Sequence, residues 1–111
     1  LLDGGVFDGQ RLLEESSVAL LVSNGLPDEL LATRRGGAGW SMGSVRVVVD
    51  AGAAGPGARE GEYRWDGSAG TEFWVDPNSG TILVTAWQSA PANPGRLRQQ
   101  IRALVKEAIE G

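Results

Sequence analysis

The stretch from Thr71 to Gln88 constrains this chain most. Thr71-Glu72-Phe73-Trp74-Val75 is β-branched and aromatic, and Thr81 to Gln88 repeats that character. Between them stands Asp76-Pro77-Asn78-Ser79-Gly80, a run of turn formers whose last glycine can take positive φ. Two strand-type runs this close in sequence must pair antiparallel, because a parallel crossover needs a dozen or more residues. In the return strand Ile82, Val84 and Ala86 point to one side, and Leu83, Thr85 and Trp87 to the other. Apolar residues on both sides suit a sheet covered on both faces.

The rest of the chain is read around that hairpin. Asp3-Gly4-Gly5 and Asp8-Gly9 bracket the apolar pair Val6-Phe7 as turns. A helix is expected over 13–24, with Leu13, Val18, Leu21 and Val22 near one face and Glu14-Glu15 in its first turn. Asn24-Gly25 is its expected C-cap, and Pro27 blocks continuation. Residues 28–39 read as loop and residues 44–50 as strand. The Gly/Ala/Pro-rich residues 51–61 read as a flexible connection, and Glu62 to Trp65 as extended. Asn93-Pro94 carries the signature of a helix start, and Leu97, Ile101, Leu104, Val105 and Ala108 would form the buried stripe of that helix. The fold class is α+β, an antiparallel sheet of three or four strands flanked by helices.

Several function classes are excluded by residue type. The chain has 111 residues, no Cys and no His, so it holds no disulfide, no thiolate metal site and no Ser-His-Asp triad of its own. Its net charge of −4 gives no electrostatic reason to seek nucleic acid or an anionic membrane. Its acidic residues are scattered rather than clustered, so no metal or cofactor is expected. Gly39-Trp40-Ser41-Met42-Gly43 matches the G-x-S-x-G nucleophile elbow. That elbow requires a strand before the serine and a helix after it, whereas here a glycine-rich loop precedes and a strand follows. Ser41 is therefore expected to be a turn residue, with Trp40, Trp74 and Trp87 serving as core. Arg34-Arg35 is expected to be solvated.

One long block carries a resemblance. Glu60-Gly61-Glu62-Tyr63-Arg64-Trp65-Asp66-Gly67-Ser68-Ala69-Gly70-Thr71-Glu72-Phe73-Trp74-Val75-Asp76-Pro77 is similar to the W-G-G-A-x-G-T-x-F-W-V-D-P pattern. That pattern lies near the C-terminus of β-lactamase-related serine hydrolases, which include class C-like carboxylesterases and share the penicillin-binding-protein fold. Asp8-Gly9-Gln10-Arg11 with the helix after it, Gly39 to Val49, and the terminal helix resemble flanking parts of the same family. The resemblance implies that the whole chain, 1–111, is the C-terminal portion of the α/β domain of such an enzyme. Trp65-Asp66-Gly67 would be its third motif, on a strand lining the pocket. The backbone N–H of Ser68 would donate to the oxyanion, and Trp65, Asp66 and Gly67 would line the substrate site.

Family enzymes attack a carbonyl with the serine of a Ser-x-x-Lys motif, aided by a tyrosine from a second motif. No serine here has a lysine three residues later, since Lys106 is the only lysine, and Tyr63 is followed by Arg64 and Trp65. The leading segment Leu1 to Leu13 has no basic region before an apolar one and does not read as a signal peptide. The chain is thus expected to be inactive alone and to partner an N-terminal portion, separate or missing, that carries the nucleophile. The implied substrate is a small ester or amide. The alternative is a catalytically silent binding or scaffold relative, favoured by Asp66 where the family often has a small residue. Strand alternation turns Asp66 away from Trp65 and Gly67, toward a neighbouring arginine.

Overall fold

A computed structural model describes residues 1–88 and 95–111. A small hairpin, β1 (Val6–Phe7) and β2 (Gln10–Arg11), comes first. Its two-residue loop is Asp8-Gly9, with φ of 49° and 73°, the left-handed pair that matches strand twist. Helix α1 (Glu15–Val22) follows, turning Val18 inward and half-burying Leu21 and Val22. It stops at Ser23, earlier than Asn24-Gly25 suggested, and Gly25 does not take positive φ. The Asn24 carboxamide instead accepts from the N–H of Leu26 at 3.0 Å and of Trp40 at 3.2 Å, tying the helix exit to the sheet.

The main sheet has five antiparallel strands in the order β3 (Ala38–Trp40), β4 (Arg46–Val48), β5 (Tyr63–Asp66), β6 (Glu72–Asp76) and β7 (Thr81–Thr85). Every neighbour in space is the neighbour in sequence, so the sheet is a meander. The β6–β7 hairpin pairs Asp76 with Thr81 and Glu72 with Thr85, and Gly80 has φ +67° as its turn requires. The Asp76 carboxylate closes that turn. It accepts from the Asn78 N–H at 2.9 Å, the Ser79 hydroxyl at 2.9 Å and the Arg59 guanidinium at 3.2 Å.

Three expectations for the connections are corrected. Residues 28–39 are not all loop: Asp28–Ala32 forms the short helix α2, and Ala38–Trp40 is the edge strand β3. The segment 51–61 is not simply a flexible connection. Asp50 accepts from the Ala53 N–H at 3.0 Å and caps a single helical turn, α3 (Ala51–Ala54). The return strand ends at Thr85, short of Gln88.

The core is small. Val47, Tyr63 and Val75 form its cluster on one face of the sheet, with Leu2, Val22, Val45 and Phe73 packed against it. Trp74 on the other face is fully buried, while Trp40 and Trp87 are only half-buried, so one of the three expected core tryptophans is core in full. The outward side of β7 is open, with Ile82 and Val84 61% and 69% exposed. The sheet is therefore not covered on both faces at this edge.

Helix α4 (Gly95–Glu110) packs on the face that carries Trp74, and it does so against expectation. The expected buried stripe is largely outside: Leu97, Leu104 and Ala108 are exposed, with Ile101 and Val105 half-buried. The side turned inward carries Arg98, Arg102 and Lys106, one helical turn apart. The physical reason lies in the sheet, which offers Asp66, Glu72 and Glu62 to the helix. Arg98 pairs with Asp66 at 3.1 Å, Arg102 with Glu72, and Lys106 with Glu62. Leaving these carboxylates buried and unpaired would cost more than exposing three aliphatic side chains. The helix start expected at Asn93-Pro94 falls outside the described residues.

Candidate functional site

The segment Trp65 to Thr71 runs off the end of β5, turns, and enters β6. The Gly67 N–H bonds to the Thr71 carbonyl at 2.8 Å, and the Gly70 N–H bonds back to the Gly67 carbonyl at 3.1 Å. The bend demands its glycines. Gly70 has φ +110°, and a Cβ there would run into the Trp87 indole. A Cβ on Gly67 would meet the Thr71 hydroxyl. Ser68 sits exposed on the turn, and among the described residues its N–H meets no acceptor.

Below this turn lies an open groove of about 320 Å³. Trp65, Gly67, Phe73, Val84 and Ala86 give it a mainly apolar lining, which Asp66 and Glu72 also border. Trp65 is 39% exposed, yet its ring is held firmly. The Trp40 ring meets it edge-on at 4.9 Å, and the Arg46 guanidinium lies 5.2 Å from its centroid. Of the residues expected from the third-motif resemblance, Trp65, Asp66 and Gly67 line this groove, and Ser68 stands on the adjoining turn.

Asp66 is engaged elsewhere than in the groove. Its Oδ2 accepts from Arg98 Nη1 at 3.1 Å and lies 3.7 Å from Arg46 Nη1. This is the arginine pairing that strand alternation predicted. Arg98 also donates through Nη2 to the Gly67 and Thr71 carbonyls, at 3.3 and 3.2 Å. One guanidinium thus braces the β5 carboxylate and both ends of the turn. Neither Arg98 nor Arg46 was singled out from sequence. The signal was present in the spacing of Arg98, Arg102 and Lys106 on one helical face, opposite acidic residues at Asp66, Glu72 and Glu62.

Ser41 is 3% exposed in the β3–β4 turn. Its N–H bonds to the Val45 carbonyl at 3.0 Å, and Ser44 at φ +60° completes the bend. A buried turn hydroxyl between two strands lacks the exposure of a nucleophile elbow. Tyr63 is a core residue whose burial pushes its phenol up from the ordinary value, so it stays neutral. Among the described residues no group of acidic side chains is placed to hold a metal ion, and no helix is long and apolar enough to cross a membrane. No family model matches the chain, and no curated protein matches it.

Proposed function

We propose that this chain is the C-terminal segment of a serine hydrolase of the β-lactamase-related type, contributing the third-motif strand and one oxyanion N–H. The observation that carries the reading is the Trp65–Thr71 turn. A Ser68 N–H that meets no acceptor among the described residues stands beside a mainly apolar groove that has room for a small acyl group. During attack on an ester or amide, negative charge gathers on the carbonyl oxygen. A fixed N–H aimed there lowers the barrier by roughly 3 kcal/mol. Gly67 lets a substrate approach the strand without a side chain in the way. Trp65, braced by Trp40 and Arg46, supplies a rigid apolar wall.

The nucleophile, its lysine and the tyrosine belong to another segment, proposed to sit over the open side of the groove. Asp66 would oppose an oxyanion if it faced the groove free. Its bond to Arg98 compensates that charge, which favours the catalytic reading over a silent binding relative. The test is fluorophosphonate labelling of the native protein followed by mass analysis. The expected outcome is label on a Ser-x-x-Lys serine in a polypeptide that includes or accompanies this chain. Label on Ser41 or another serine of the 111 residues, or no label on native material, overturns the reading.

A further inference from the structure

A second cavity, of about 400 Å³, sits at the β3–β5 side of the sheet and shares no lining residue with the groove. Its walls are Arg34, Arg35, Arg46 and Arg64, with only Gly36 and Ala38 between them. Four guanidiniums around one cavity, with no carboxylate in its lining, is a local charge excess in a chain whose net charge is −4.

Two features of the sheet make this arrangement costly when the cavity holds only water. Arg46 and Arg64 are direct cross-strand partners in the β4–β5 register. Like charges placed opposite one another on adjacent strands repel. Arg64 is also half-buried, and among the described residues its guanidinium has no ion pair and no side-chain hydrogen bond. Burial, then repulsion from Arg102 and Arg46, pulls it below the ordinary arginine value, against the opposing pull of Glu72 and Asp66. Arg46 has partial relief from Asp66 at 3.7 Å and from the Trp65 ring. Among the described residues Arg34 has only the Trp40 ring, 5.9 Å away. Arg34 and Arg35 are exposed on the bend after α2.

We propose that Arg34, Arg35, Arg46 and Arg64 form a binding site for a small, multiply charged phosphate, either free or as an ester. Planar guanidiniums match phosphate oxygens in pairs, and a dianion or more removes the repulsion between Arg46 and Arg64. The site does not rest on the hydrolase reading: its cavity shares no lining residue with the groove, and Arg46 alone also touches groove residues, Trp65 and Asp66.

The test is calorimetric titration of the native protein, with any polypeptide that co-purifies, at low ionic strength. The probes are inorganic phosphate, pyrophosphate and glycerol 2-phosphate, with potassium chloride at matched ionic strength as the control. Saturable binding of one phosphate probe per chain is expected. Loss of one or two guanidiniums should weaken it by about tenfold or more. The variants are Arg64→Gln and the double variant Arg34→Gln/Arg35→Gln, the latter confined to exposed positions so that folding is not at stake. Preference for glycerol 2-phosphate over inorganic phosphate assigns the site to an ester, and the reverse assigns it to the free anion. Heat no larger than with potassium chloride, or affinity unchanged in the double variant, overturns the proposal.

Discussion

Asp76 shows how much one side chain can settle in this chain. It is fully buried, yet it holds the β6–β7 turn together as a charged group. Burial alone would raise its pKa. Hydrogen bonds from Ser79 and from the Asn78 N–H and side chain, with the nearby charge of Lys106, outweigh burial and hold it below the ordinary value of 3.8. A depressed carboxyl pKa stabilises the fold above the unfolded value, and that stability is lost as pH falls through the folded one. Asp76→Asn keeps an acceptor but removes the charge, and should cost roughly 2–3 kcal/mol at pH 7. The gap between variant and parent should begin to narrow below pH 3.8, where the unfolded carboxyl gains its proton, and close as pH falls through the lower folded value. Urea midpoints of the native protein at pH 7 and at pH 3, followed by tryptophan fluorescence, check this. A gap that does not change with pH would mean that the charge is not what matters at position 76.

At the scale of elements, strands were more legible than helices. The β6–β7 hairpin could be read directly, since turn chemistry and strand composition there agree. Helix α2 and strand β3 were hidden, because Asp28 to Ala32 is short and Ala38-Gly39 has weak strand character. The orientation of α4 was misjudged because its aliphatic stripe was read without asking what the sheet presented to it. Trp65, Asp66 and Gly67 line one groove because they are consecutive residues at the end of β5. The arginines that surround them come from β4 and α4, and only the folded topology brings these together.

The polar clamp on α4 makes its own prediction. Glu62 accepts from the Trp74 indole at 3.0 Å and from the Arg59 N–H at 2.9 Å, and it pairs with Lys106, which also donates to the Gly57 carbonyl. Lys106→Met should destabilise by about 3 kcal/mol, because it strands a buried carboxylate. Glu62→Gln should destabilise similarly, by stranding the ammonium. In the double variant no charge is left unpaired, so its cost should fall short of the two single costs added together by at least about 1 kcal/mol. Urea denaturation of all four forms gives the cycle. Simple additivity would show that helix and sheet are not held by this pair.

For the whole molecule, surface area is the telling quantity. The chain exposes 7131 Å², whereas a compact monomer of 11.6 kDa exposes roughly 5,800 Å². Its radius of gyration of 14.6 Å likewise exceeds the roughly 13 Å expected of a compact domain this long. Large apolar side chains are exposed at several places: Trp65, Ile82 and Val84 at the β7 side of the groove, Leu97, Leu104 and Ile109 on the outer face of α4, and Phe7, Leu12, Leu20 and Met42 elsewhere. Among the described residues seven hydrophobic residues are buried, so little apolar area there opposes the entropy of ordering the chain. The 111-residue chain alone should therefore bind a hydrophobic dye, associate as its concentration rises, and melt broadly. Together with a segment that covers the groove, it should melt sharply and lose the dye. Sedimentation and calorimetry of the isolated chain decide the matter. A monomer with a single cooperative transition would mean that the exposed apolar surface is tolerated as it stands, and that the groove needs no second segment to complete it.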